Sequence, residues 1–263
     1  MQQTPKRILW EIKMNTKLYL DELVKKYETK DFIKNDPIQF PHRFSQKEDI
    51  EIAGFLASIF AYGKRELFIK KLNELFVIIQ NEPLNYILNF SRDKKELENF
   101  DYRFSIGIDL EQIILILKQL YNDGESIESL CEYGWKQSHN IKEMQQVLVD
   151  YFYARITLPV SNGFFHLLPN PSKNSACKRI NMFLRWMVRD GEVDLGIWKF
   201  LPKSELLIPL DTHVAKISRS INLLERKQND YNAVIELTNK LKEFSQEDPT
   251  KYDFAMFGYG VNN

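Results

Sequence analysis

Apolar residues spaced three and four apart recur in nearly every segment of this chain, while strand-like alternation is weak throughout. Such spacing puts apolar side chains on one face of a helix turning at about 3.6 residues, so it predicts an all-α protein. The 10 glycines do not cluster. A glycine-rich loop that cradles nucleotide phosphates is therefore not expected.

Ser45 and Glu48 spell a capping box ahead of a helix whose face is Ile52, Phe55, Leu56, Ile59 and Phe60, with Gly63 of Tyr62-Gly63 as its C-cap. A second helix runs from about Leu67 to Gln80 and stops at Asn81-Glu82-Pro83. Asp109 opens a third, over Leu110, Ile113, Ile114, Leu117 and Leu120, and Met144 to Ile156 makes a fourth. Residues 161–174 hold Gly163, Pro169 and Pro171 and read as a linker between two helical subdomains, 40–160 and 175–263, of one 263-residue unit. A cleft between the subdomains is expected.

From Ser175 to Arg189 the pattern is sharpest. Ile180, Phe183, Leu184 and Met187 share one face, and Lys178, Arg185 and Arg189 fall within about 20° of one another opposite it. The arrangement reads either as a solvated face paired to Asp190, Glu192 and Asp194 or as a phosphate-binding stripe. Trp186, at its edge, reads as core. Asp211 is placed to N-cap a helix reaching about Leu224, with Val214, Ile217 and Ile221 inside and Lys216 and Arg219 outside. A helix from Tyr231 to Phe244 follows, and Asp248-Pro249 starts the last one.

Length and composition set outer bounds. A chain of 263 residues can bury roughly 70% or more of its unfolded surface without staples. Its 36 Lys+Arg balance 36 Asp+Glu, which excludes binding to nucleic acid or membrane by bulk charge alone. That balance hides segregation: cations gather at Lys178, Arg179, Arg185 and Arg189 and at Lys216 and Arg219, acids at Glu22 to Asp36 and Glu125 to Glu132. Cys131 and Cys177 form no CxxC, and His42, His139 and His166 have no HxxxH or HxH partner, so no metal site and no cofactor is expected. Two reduced thiols, no apolar run near the roughly 18 residues that span a bilayer, and no apolar leader in Met1 to Trp10 point to the cytoplasm.

Two places carry candidate chemistry. Asp211 is a helix cap in the plainest reading; at a helix N-terminus its carboxylate is also kept ionised, fit to act as a base or to oppose a developing cation. The two roles are compatible. His213 lies two residues on, where it faces the same cleft or packs sideways. Tyr62-Gly63 with Lys64-Arg65 is either a capped helix end or a loop able to wedge a side chain into a base step.

Leu201-Pro202 followed by Pro209-Leu210-Asp211-Thr212-His213-Val214, then Arg219 and Leu223, resembles the signature of the helix-hairpin-helix DNA glycosylase superfamily, which includes endonuclease III and adenine glycosylase. The resemblance implies that Asp211 lies in the active-site cleft and assists base excision. It also likens Glu51 to Ser58, with Leu72 and Leu75-Phe76, to the first core helices, and sets Tyr62-Gly63 near the loop that enters the duplex. Here only the seven residues Lys203 to Pro209 stand where the superfamily has its glycine-rich hairpin and a helix, so the hairpin is missing or degenerate. The Schiff-base lysine of bifunctional members belongs to that segment, and Lys203 is the only substitute nearby. Lyase activity is not expected.

The full chain further resembles a bacterial family carrying a domain of unknown function, in the blocks Phe40-Pro41-His42-Arg43, Ala61-Tyr62-Gly63, Asn181 to Arg189 and Lys251 to Ala255. Together these readings lead to a DNA-binding protein that works as a monofunctional base-excision enzyme. Asp211 and His213 would be catalytic, and Lys178, Arg185, Arg189, Lys216, Arg219, Tyr62 and Lys64 would hold nucleic acid. The alternative is a noncatalytic helical scaffold, or a nucleic-acid- or protein-binding module, in which Asp211 is only a cap.

Overall fold

The computed structural model describes residues 5–262, with side chains from Met14 to Gly260. Its α-helices, in chain order, are α1 (Pro5–Tyr27), α2 (Lys30–Ile33), α3 (Lys47–Ile59), α4 (Arg65–Ile78), α5 (Pro83–Asn89), α6 (Gly107–Asn122), α7 (Ile127–Ser138), α8 (Ile141–Tyr153), α9 (Asn162–Leu167), α10 (Lys178–Val188), α11 (Thr212–Ser220), α12 (Tyr231–Lys242) and α13 (Tyr252–Asn262). Short 3-10 turns join several of them, and no strand occurs among the described residues. The fold is all-α.

α3 and α10 form the centre. Ile52, Phe55, Leu56, Ile59 and Phe60 are buried as their spacing requires, but so are Glu51 and Ser58 on the other side of the same helix. The two helices approach closely because Gly54 has no side chain: a Cβ there would stand 2.8 Å from Met187 Cε. Phe55 meets Phe183 edge to face at 5.6 Å. Such contacts add about 0.5–1.5 kcal/mol to the burial itself.

Glu51 ties four parts of the chain together. Its carboxylate accepts from the Ile127 and Glu128 amides at 2.9 Å, which caps α7 from outside, from Trp198 Nε1 at 3.0 Å, and from the Tyr121 hydroxyl. Asp109 does comparable work at the start of α6: it accepts from the Ile106 amide at 3.0 Å and from the Ser161 amide and hydroxyl at 2.7 and 2.6 Å.

Several local expectations change. α3 starts at Lys47 behind Gln46, so Ser45 and Glu48 make no capping box. α3 also ends before Gly63, with Phe60 as its C-cap; Gly63 sits three residues later at φ +86°, in the turn between α3 and α4. Residues 161–174 are not a bare linker. They contain α9 and a 3-10 turn, and Phe164, Leu167 and Leu168 are fully buried. The hydrophobic core runs unbroken across them, and α1 packs on α13 at the far end of the chain. Among the described residues, no helix is long and apolar enough to cross a membrane.

Candidate functional site: a cleft between the α4, α10, α11 and α13 ends

Of the expected basic stripe, Lys178 is half-buried at the start of α10, but Arg185 and Arg189 do not face solvent. From Arg179 to Val188 every residue of α10 is buried, and Arg185 and Arg189 are 2% and 5% exposed. The reason is charge pairing: Arg185 reaches Asp194 at 3.2 Å and also Asp253, while Arg189 reaches Asp194 at 3.0 Å, Asp248 at 2.9 Å and also Glu28. Carboxylates offset the cost of burying these guanidiniums, and they come from the residue after α1, from α13 and from the turns beside α10 and before α13. Asp194 is brought in because the chain folds back after α10, with Leu195 N donating to Trp186 O at 2.9 Å. Trp186 is fully buried, as core.

Beside this network opens a cleft of about 1120 Å³. Its walls are the Tyr62–Arg65 turn and start of α4, the end of α9 at Phe165 and His166, the first turns of α10, the segment Pro209–His213 entering α11, and Asp253 and Phe257 of α13. Of the candidate residues, Tyr62, Lys64, Lys178, Asp211 and His213 line it, and Arg185 contributes to its wall from inside the ion-pair network. Arg189, Lys216 and Arg219 do not. Arg189 lies behind Arg185, Lys216 is exposed elsewhere on α11, and Arg219 donates to the carbonyls of Arg226 and Lys227 and to Asn229, holding the loop after α11.

Asp211 takes the capping position that its place in the sequence predicts: its Oδ1 accepts from the Val214 amide at 2.8 Å, and the carboxylate lies at the positive end of α11. His213 is exposed and its Nδ1 lies 3.1 Å from Gly260 O, so the ring leans toward α13. Across the cleft, the Tyr62 turn is held rigidly. Tyr62 Oη donates to Tyr102 O at 2.8 Å, Tyr102 Oη donates back to Tyr62 O, and Arg103 lies over Gly63. That reciprocal pair explains a glycine at φ +86°, where a side chain would be strained and would press on Arg103.

The cleft also collects residues that the sequence pattern did not single out. Asp253 is the main one. Burial pushes its carboxyl up to about 7, against the pull of Arg185, and the charge of Asp211 raises it further. Asp253 can therefore hold a proton at neutral pH, in the same cleft as the Asp211 side chain that caps α11. Asp36 is buried in the same wall, and desolvation raises its carboxyl too. Arg179 also lines the cleft, beside Tyr62 and His166. His166 packs edge-on to Tyr62 and Phe104, and desolvation, then the charges of Arg179 and Arg103, push it down to about 4. It is a neutral ring at physiological pH. Among the described residues, no group of three or more His, Cys, Asp or Glu is placed to hold a metal ion.

A family model described as "Protein of unknown function (DUF2400)" matches residues 36–262, and the chain belongs to that family. No curated protein and no solved structure matches it.

Proposed function

We propose that this DUF2400 chain binds DNA over the cleft and removes a base from it by a monofunctional, hydrolytic route. One observation carries the reading: residues distant in sequence, Tyr62 to Lys64, Lys178 and Asp211 with His213, line one cleft. A target nucleotide rotated out of the duplex would enter there. Asp211, fixed by its own hydrogen bond to α11, would oppose the positive charge that builds on the sugar as the glycosidic bond breaks. Asp253 would give its proton to the departing base, and the water molecule that adds to the sugar carbon would give up a proton in turn to the Asp253 carboxylate.

With Arg185 and Arg189 consumed by internal ion pairs, the phosphate contacts assigned to the earlier candidates fall to Lys64 and Lys178. Two such contacts predict a slope of about −2 in log K against log salt. The test is release of damaged bases from duplex substrates by the purified chain and by Asp211→Asn. Release by the parent protein, lost in Asp211→Asn at nearly unchanged DNA affinity, is the expected result. Absence of release together with absence of DNA binding at low salt would overturn the reading and leave a helical scaffold.

A further inference from the structure

Of the three buried arginines of α10 and its end, Arg179 alone has no carboxylate. It is 7% exposed, it forms part of the cleft wall, and among the described residues no Asp or Glu lies within 4.0 Å of it. Its Nη1 donates to Ile59 O at 2.9 Å and its Nη2 to His166 O, both neutral acceptors, and its guanidinium stands 5.0 Å from the Tyr62 ring. Two carbonyls use two of five donors and neutralise none of the charge. Arg185 and Arg189, a few residues on, are each answered by two or more acids. An uncompensated charge this deep is costly unless something outside the chain answers it.

The surroundings specify the sign and the shape of that partner. Lys178 adjoins Arg179, and Lys64 and Arg65, at the start of α4, line the same cleft. His166 is neutral, so it contributes no charge of its own and the positive charge is left to the arginine and lysines, and Tyr62 offers an aromatic face beside the guanidinium. Burial lowers Arg179 itself to about 10, which leaves it charged at neutral pH. A planar guanidinium with free donors matches two oxygens of one phosphate, and does so better than a lysine would.

We propose that Arg179 is the floor of an anion subsite that takes a phosphate group, with Lys178 beside it, in the same cleft as Asp211. Within the base-excision reading, on which only the source of the phosphate rests, that group is the phosphate flanking the extruded nucleotide. The subsite would then set how far the nucleotide enters, and so which atom reaches Asp211.

Calorimetric titration of the full chain with inorganic phosphate at low ionic strength tests the subsite directly. Saturable binding is expected, weakened about tenfold or more in Arg179→Met and unchanged in Lys216→Met, which lies off the cleft. No binding to the unmodified chain, or equal binding by Arg179→Met, would overturn it. Should Arg179→Met fail to fold, hydrogen exchange on the unmodified protein decides. Phosphate must then protect amides in 59–66 and 165–179, and protection elsewhere or nowhere rejects the subsite. A parallel arm with a deoxynucleoside monophosphate and duplex DNA separates the two readings. Phosphate and monophosphate binding at Arg179 without duplex binding retains the subsite and removes the DNA reading.

Discussion

Arg185 Nε stands 3.2 Å from Oδ1 of Asp194, a carboxylate with no exposed surface, and Arg189 takes the other oxygen of the same group at 3.0 Å. Asp194 thus joins two arginines one turn of helix apart, and Arg185 also lies 4.4 Å from the Phe254 ring. Removing one member leaves buried charge unanswered. Asp194→Asn is expected to lower stability by about 3–5 kcal/mol in urea denaturation. Phosphate-binding residues would behave otherwise, with little stability change and a shallower salt dependence of DNA affinity. That pattern for Arg185→Met would restore the stripe to the surface.

Asp211 has a structural and a chemical role, and two substitutions part them. Asn keeps an oxygen that can accept from the Val214 amide, whereas Ala removes it. Asp211→Ala should therefore lose about 1 kcal/mol by calorimetry and Asp211→Asn only a few tenths. Base release should vanish in both. Release retained by Asp211→Asn and weakened in Asp211→Ala in step with stability would make Asp211 a cap alone.

Helical spacing located most of the core and the cap at Asp211 because each rests on nearest neighbours along one helix. It misplaced the arginines of α10 for a definite reason. Period 3.6 says where a charge lies around a helix, but not whether another layer covers it, and Asp194, Asp253, Asp248 and Glu28 close over Arg185 and Arg189 from outside that helix. The same limit applies to Asp248. Its position before Pro249 reads as a cap, yet its side chain makes no cap bond and goes to Arg189 instead. Residues 125–132 gather acids, and the same stretch also buries Ile127 and Cys131 of α7. Arg179 stands out in the sequence only as one of the gathered cations, and Asp253 only within the Lys251 to Ala255 block, with no local signal of a place in the cleft. Their part in the cleft depends on α13 and α10 meeting the start of α4 and of α11.

The Tyr62 turn yields a backbone prediction. A Cβ on Gly63 would lie 2.7 Å from Arg103 Nη1 and 3.0 Å from Tyr102 Oη, at a φ of +86°. Arg103 can swing away, but Tyr102 is tied to Tyr62 O. Gly63→Ala should cost about 1–2 kcal/mol, most of it from the left-handed backbone. DNA affinity should fall with it, because Tyr62 and Lys64 flank the strained residue. Unchanged stability and affinity, by urea denaturation and fluorescence anisotropy, would show that the turn tolerates other geometries and is not a preset wedge.

Glu51 gives the fold a pH dependence whose sign is fixed. Burial pushes its carboxyl up to about 7, against the pull of Tyr121 and of the Ile127 and Glu128 amides. The folded chain therefore binds this proton more tightly than the unfolded chain, where a glutamate titrates at about 4.3. Its contribution is fully present below about pH 4 and is lost as pH rises through 7. His166 acts in the opposite sense: lowered to about 4, it costs stability as pH falls below about 6.5. The difference between the parent protein and Glu51→Gln isolates the first group, since His166 is common to both. Between pH 8 and pH 5 the parent should gain about 2–3 kcal/mol on the variant in urea-derived stability. A difference that stays constant with pH would mean that Glu51 titrates alike in the folded and unfolded chain, its hydrogen bonds offsetting its burial.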